Sequence, residues 1–252
     1  MNTAPAYVIV GASGGIGSEL CTQLVKRFPC KLFLVARNTT KLEALKSRLQ
    51  DLQPQAEILT QSLDATHSAM VDQAFAEAAS KLGPLSGAAN LCGSIVLKPA
   101  HLTSDQELAD TLAINLLTAF YVLRAAVKNL PQGGSIVLAS TVATKIGLAN
   151  HEAIAAAKSG INGLVLSAAA TYANRNIRVN AVAPGLVRTP LAERLTSNEA
   201  TLKASTAMHP LGRIGEPADV ATAMAWLLDP ATTWITGQVI SIDGGLSCVK
   251  AR

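Results

Sequence analysis

Seven short runs of apolar, largely β-branched residues alternate with longer helix-compatible stretches along the whole chain, and no other feature restricts the fold as strongly. The strand-like runs are residues 7–10 (YVIV), 31–36 (KLFLVA), 56–62 (AEILTQS), 85–91 (LSGAANL), 135–140 (SIVLAS), 177–183 (IRVNAVA) and 238–243 (QVISID). Helical patterns occupy 15–28, 39–51, 66–81, 104–129, 151–174 and 216–229. Continuous apolarity, in place of strict alternation, marks strands covered on both faces, as in a parallel sheet between helical layers. The expected fold class is α/β, with a doubly wound parallel sheet of about seven strands and helices on both faces.

The chain has 252 residues with no Pro/Ser-rich linker, composition break or internal repeat, so residues 1–252 are expected to form one domain. The regular alternation fails only at 186–215, which carries several helix-compatible pieces, Pro190 and His209-Pro210. A long irregular segment after the C-terminal end of a strand is where an open sheet places a lid over its ligand. Its four basic residues, Arg188, Arg194, Lys203 and Arg213, against Glu193 and Glu199 leave too small an excess to specify an anionic substrate.

Charge and hydropathy exclude several partners. Twenty-one Lys and Arg against 17 Asp and Glu give +4, with no basic run longer than Lys26-Arg27, so no nucleic-acid partner is expected. The charge-free stretch between Lys158 and Arg175 is interrupted by Ser159, Asn162, Ser167 and Thr171, which reads as a buried helix and not as a membrane span. The N-terminal MNTAPAYVIVG lacks a basic leader and runs straight into a strand, so no signal peptide is expected. Cys21, Cys30, Cys92 and Cys248 show no metal-ligand spacing, which suits reduced thiols in a cytoplasmic protein with no metal.

After the first strand comes G-A-S-G-G-I-G, residues 11–17. Gly11, Gly15 and Gly17, with Ser13 and Ile16 between them, stand at a strand-to-helix turn. There the backbone can approach a pyrophosphate, and exposed N–H groups and the positive helix end meet its charge. This is the placement of a dinucleotide site on a Rossmann sheet, though the spacing is G-x-x-x-G-x-G.

From this point the chain resembles the short-chain dehydrogenase/reductase family over nearly its whole length. Asp64 in SLDAT resembles the family's aspartate that meets the adenine. N-L-C-G, Asn90 to Gly93, resembles its N-N-A-G with Leu91 in place of the second Asn. Asn115 resembles the active-site helix asparagine. RVNAVAPGLVRTP resembles the segment in which Pro184, Gly185, the Val187 backbone and Thr189 would hold the nicotinamide carboxamide, and GRIGEPADVA and ITGQVISIDGG match the C-terminal pattern. At the end of the second strand an acidic side chain would accept the ribose hydroxyls of NAD and repel a 2'-phosphate. Here that place reads Ala36-Arg37-Asn38, with Lys41 beyond it. No carboxylate repels the phosphate and a guanidinium is present to pair with it, so the expected cofactor is NADPH/NADP.

The resemblance implies a tyrosine in Y-x-x-x-K as proton donor, its lysine holding the nicotinamide ribose. The chain reads I-A-A-A-K: Lys158 is present, but Ile154 cannot donate a proton. Thr141 stands where the family's carbonyl-orienting hydroxyl falls, with Ser140 adjacent. His151 lies three residues before Ile154 and seven before Lys158, a spacing that puts all three on one helix face, and its imidazole is a candidate acid. H-x6-K also matches by spacing the Y-x6-K of the family's enoyl reductase branch. The other reading is that His151 begins the helix and Lys158 binds ribose only. Cys92 reads as a small packing residue. The expected function is an NADPH-dependent oxidoreductase reducing a carbonyl or conjugated C=C of a small molecule through Asn115, Thr141, His151 and Lys158. The alternative is a non-catalytic NADPH-binding sensor or partner protein. Two Ala/Leu-rich helices, around Asn115 and Lys158, resemble those through which the family forms homodimers and homotetramers.

Overall fold

A computed structural model describes residues 4–250. Its strands are β1 (Ala6–Val10), β2 (Lys31–Ala36), β3 (Glu57–Ser62), β4 (Gly87–Asn90), β5 (Gly134–Ala139), β6 (Ile177–Pro184) and β7 (Val239–Ile242). They form one parallel sheet in the order β3-β2-β1-β4-β5-β6-β7. Along β1 the side chains divide between two cores, as a period of two requires. Tyr7 and Ile9 meet α1 (Gly15–Arg27), α2 (Thr39–Leu52) and α9 (Pro217–Leu228) through Leu20, Leu24, Leu42 and Met224. Val8 and Val10 face α3 (Ser68–Leu82), α5 (Thr118–Lys128) and α6 (Glu152–Tyr172) through Phe75, Val122 and Ile161.

The chain crosses the sheet after β3 to lay β4 on the other side of β1. At this switch point the loops after β1 and β4 converge: a Cβ on Gly11 would lie 2.9 Å from the Leu91 carbonyl carbon. A crevice outside the carboxyl ends of the strands follows from the topology.

Three details differ from the sequence reading. The expected helix at 104–129 is α4 (Asp105–Leu112), a π turn (Ala113–Leu117) and then α5. The helix expected from 151 begins at Glu152, and His151 precedes it with φ −104° and ψ 12°. Asp105–Lys128 and Glu152–Arg175 are long and apolar enough, by length and composition, to cross a membrane, which counting only charge-free residues had missed. Both lay an apolar face on the sheet through Val122, Ala126, Ile161 and Val165. The 186–215 segment carries a short 3-10 turn (Pro190–Ala192), α7 (Glu193–Thr196) and α8 (Glu199–Met208), which buries none of its side chains fully and lines a separate cavity through Thr201, Ser205 and Met208.

Candidate active site and cofactor cleft

The crevice at the switch point is a continuous cleft of two adjoining cavities that share Gly11, Gly15, Leu91, Cys92 and Gly93. Its floor requires glycine. Gly11 adopts φ +82°, a backbone region that side chains disfavour, and a Cβ on Gly17 would run into the Gly11 carbonyl oxygen. Gly14 precedes α1 with no side-chain cap, and no acidic residue stands in the first turn, so the helix N–H groups remain available to an anion.

One cavity, about 490 Å³, runs from Ser13 to Arg37, Asn38, Lys41 and Asp64. The Arg37 side chain is exposed and makes no ion pair or hydrogen bond among the described residues. Asn38 has a structural duty as well: its Oδ1 accepts from the Lys41 N–H at 2.8 Å and caps α2. Asp64 accepts from the Thr66 N–H at 2.9 Å and the Thr66 hydroxyl at 2.8 Å. The Thr66 N–H, against an opposing effect of burial, holds the Asp64 carboxyl below the usual range, with smaller help from the Thr66 hydroxyl, His67 and Arg37.

The second cavity, about 210 Å³, is lined by Ile16, Gly17, Asn115, Thr141, Ile154 and Lys158. Asn115 is 1% exposed on the π turn, and its side chain is fully engaged. Its Oδ1 accepts from the Ser94 N–H at 3.2 Å, and its Nδ2 donates to the Ser94 hydroxyl at 2.9 Å and to Thr111 O at 3.0 Å, so it fastens the 93–94 loop to the helix. Asn90, expected to touch cofactor, does not line the cleft. It is buried between β4 and α5, donating to the Thr118 hydroxyl at 3.1 Å and accepting from the Cys92 N–H at 3.3 Å. Gly93 does line it.

Lys158 projects from α6 into this cavity, where Nζ donates to Ala139 O at 2.8 Å. Burial lowers its ammonium from 10.5 to about 8. Burial likewise pushes the neighbouring Cys92 thiol up to about 11, which suits a packing residue and not a nucleophile. Ser140 is committed to α6, its hydroxyl donating to Asn162 Oδ1 at 2.7 Å; Thr141, which also lines the cleft, accepts from the Ala143 N–H at 3.4 Å and keeps its hydroxyl proton to donate. On the far wall stand Pro184, Gly185, Val187 and Thr189. A Cβ on Gly15 would come within 2.8 Å of the Thr189 methyl, so the segment after β6 packs against the glycine loop.

Thr141 and Ile154 also line a third cavity of about 430 Å³ under α8, with His151, Leu186, Met208 and His209. Asn150 takes a left-handed φ of 64°, which turns His151 into this cavity ahead of the helix. His151 therefore does not share a helix face with Lys158: Ile154 lines both spaces, Lys158 only the cofactor cleft and His151 only the third cavity. His151 Nδ1 lies 2.8 Å from Ala149 O. The sequence reading missed His209 as a site residue. It ends α8, is 4% exposed, and places Nδ1 2.6 Å from Ser205 O, while Nε2 sits 2.6 Å from where a Gly185 Cβ would be. The available signal was a histidine directly before a proline at the end of a helical stretch.

Residues 11–247 match the family model described as enoyl-(acyl carrier protein) reductase. A tropinone reductase homologue of Arabidopsis thaliana is 34% identical over 95% of this chain and 91% of its own. Carbonyl reductase family member 4 of Danio rerio is 36% identical over 95% and 96%. A short-chain dehydrogenase/reductase structure from Mycobacterium ulcerans superposes with a TM-score of 0.92 at 28% identity, covering 98% of this chain and 91% of the other. The glycine floor at the switch point, the Lys158 cleft and these full-length matches place the chain in the short-chain dehydrogenase/reductase family, NAD(P)-using oxidoreductases of small molecules.

Proposed function

We propose that the chain is an NADPH-dependent reductase of a small-molecule carbonyl or conjugated C=C, with Thr141 and His151 at the reacting end. The observation that carries the cofactor choice is Arg37, unpaired at the carboxyl end of β2 and lining the cavity that also holds Asp64. The cradle suits a dinucleotide: Gly11 at φ +82° and the close approach of Gly17 to the Gly11 carbonyl hold a tight strand-to-helix turn that only glycine permits, and the uncapped α1 offers its N–H groups there. Arg37 and Lys41 would hold the 2'-phosphate and Asp64 the adenine. Lys158 would hold the nicotinamide ribose, and Pro184, Gly185, Val187 and Thr189 the carboxamide. When bound, the reduced cofactor supplies a hydride.

The chain's own residues must then manage the charge that develops on the acceptor. The Thr141 hydroxyl can donate to a carbonyl or enolate oxygen, which suits a conjugated alkene because an enolate needs stabilisation more than an immediate proton. A carbonyl that accepts from Nδ1 leaves His151 with its proton on that nitrogen, so Nε2 donates only from the doubly protonated ring.

A guanidinium bonded to phosphate contributes about 1.5 to 3 kcal/mol, so Arg37→Ala should weaken NADPH about tenfold to a hundredfold and leave NADH nearly unchanged. Fluorescence titration with both cofactors measures this, and equal losses would overturn the assignment. Turnover on a panel of ketones and enones tests the chemistry. Tight NADPH binding with no acceptor reduced would overturn the catalytic half.

A further inference from the structure

The third cavity sets two imidazole rings beside the Thr141 hydroxyl, with no tyrosine among its lining residues. His151 Nδ1 faces Ala149 O at 2.8 Å and His209 Nδ1 faces Ser205 O at 2.6 Å. A carbonyl oxygen only accepts, so both rings carry hydrogen on Nδ1, and in the neutral ring Nε2 offers a lone pair. His209 Nε2 is buried and has no partner among the described residues. An unsatisfied buried acceptor costs free energy until a donor or a cation reaches it.

Ile95, Leu97, Val142, Leu148, Leu195 and Leu246 make most of the wall apolar; the hydroxyls of Thr141, Thr201 and Ser205 also line it, each neutral and able to turn a lone pair inward, and no lysine, arginine or carboxylate lines the cavity among the described residues. Behind His209, Asp243 accepts from the Gly245 N–H at 3.0 Å and the Ser247 N–H at 2.9 Å. Burial opposes ionisation, and the bonds from Ser247 and Gly245 together outweigh it and keep the carboxyl below the usual range. Lys158, the nearby cation on α6, turns Nζ onto Ala139 O in the adjoining cleft. Ile154 contributes neither donor nor acceptor.

We propose that this cavity takes a cyclic iminium ion, a carbon–nitrogen double bond already bearing positive charge, and that the chain reduces it to the amine; the proposal rests on the NADPH reading above. The iminium carbon accepts a hydride, the C=N π pair becomes the nitrogen lone pair, and the reduced nicotinamide that gave the hydride is oxidised. No proton is needed, so the missing acid, which costs a ketone about a hundredfold to ten-thousandfold in rate, costs this substrate nothing. Burying a cation requires compensation, and the two imidazole lone pairs with the Asp243 carboxylate behind them supply it. A volume of about 430 Å³ accepts a fused bicyclic ring system.

The probe is the N-methyl-dihydroisoquinolinium cation, with tetralone as its neutral ketone counterpart. In calorimetric titration of the cofactor-free chain the cation should bind at least about tenfold more tightly than the ketone, a margin of roughly 1.4 kcal/mol. His209→Phe should abolish that preference, and His209→Gln, which keeps an acceptor, should retain it. With NADPH, tertiary amine should form above the protein-free background, and the ketone should react at least about a hundredfold more slowly. Equal or better binding and turnover of the ketone, or no amine, overturns the proposal. A NADPH titration on the same sample separates the two readings: intact binding without amine removes the iminium assignment alone, and absent binding removes both.

Discussion

Lys158 is held where it costs stability. Burial lowers its ammonium from 10.5 to about 8, so the folded chain releases this proton before the unfolded chain does. Between those pH values the unfolded state binds more protons, and stability rises with pH; below pH 8 the full penalty of about 3 kcal/mol remains. Lys158→Met removes the penalty but leaves Ala139 O without its donor, a loss of about 1 kcal/mol. Denaturant melts should show the variant more stable by about 2 kcal/mol at pH 7 and the advantage gone by pH 10, while NADPH binding weakens. A difference that does not change with pH would mean that burial does not depress the Lys158 ammonium. Ile154 tests the neighbouring step. It is 7% exposed and lines both the cofactor cleft and the third cavity, so a larger ring there projects into open space. Ile154→Tyr would set a phenol one helical turn from the Lys158 ammonium, which favours the phenolate and lowers the phenol's pKa. Ketone reduction should rise by about tenfold or more, toward the range usual for a general acid. Unchanged ketone turnover with cofactor still bound would place the acceptor carbonyl elsewhere.

At the scale of elements, the regular parts of the chain were legible and the local departures were not. Fully apolar runs and a glycine turn announced β1, α1 and the switch-point cleft, because burial on both faces and close backbone approach leave few other residue choices. The end of β2 was readable as a place: Arg37 follows the strand and lines the cavity there. The π turn at Ala113–Leu117 was not: a single inserted residue barely disturbs the apolar spacing, yet it carries Asn115 and with it the 93–94 loop. His151 went to the wrong face because helical spacing was extended one residue too far. The left-handed Asn150 fixes the start of α6, and an Asn in a Gly-Leu-Ala-Asn-His stretch does not reveal its φ. Asn90 was assigned to the cofactor by resemblance, whereas its hydrogen bonds tie β4 to α5. His209 stayed hidden because its meaning depends on Gly185 and Asp243, two distant residues that only the fold brings beside it.

The whole molecule leaves several large apolar side chains exposed. Phe120 and Leu166, on the Ala-rich helices α5 and α6, are 47% and 61% exposed. Trp234, in the segment before β7, is 97% exposed and Trp226 on α9 is 39% exposed. Exposed apolar side chains mark association where they gather on one face, and two independent self-complementary faces generate a tetramer of dihedral symmetry. The chain of 26.1 kDa should therefore sediment as a homotetramer, or as a homodimer if only one face is used. A buried charge in such an interface is strongly unfavourable, so Phe120→Glu with Leu166→Glu should halve the sedimenting mass. Trp234→Glu should do the same through the other face, and combining all three should yield monomer. Because α5 and α6 also carry the π turn's neighbours and Lys158, loss of the first face should weaken NADPH binding as well as assembly, whereas loss of the second should affect assembly first. A wild-type chain that sediments as a monomer at micromolar concentration would assign both patches to other partners.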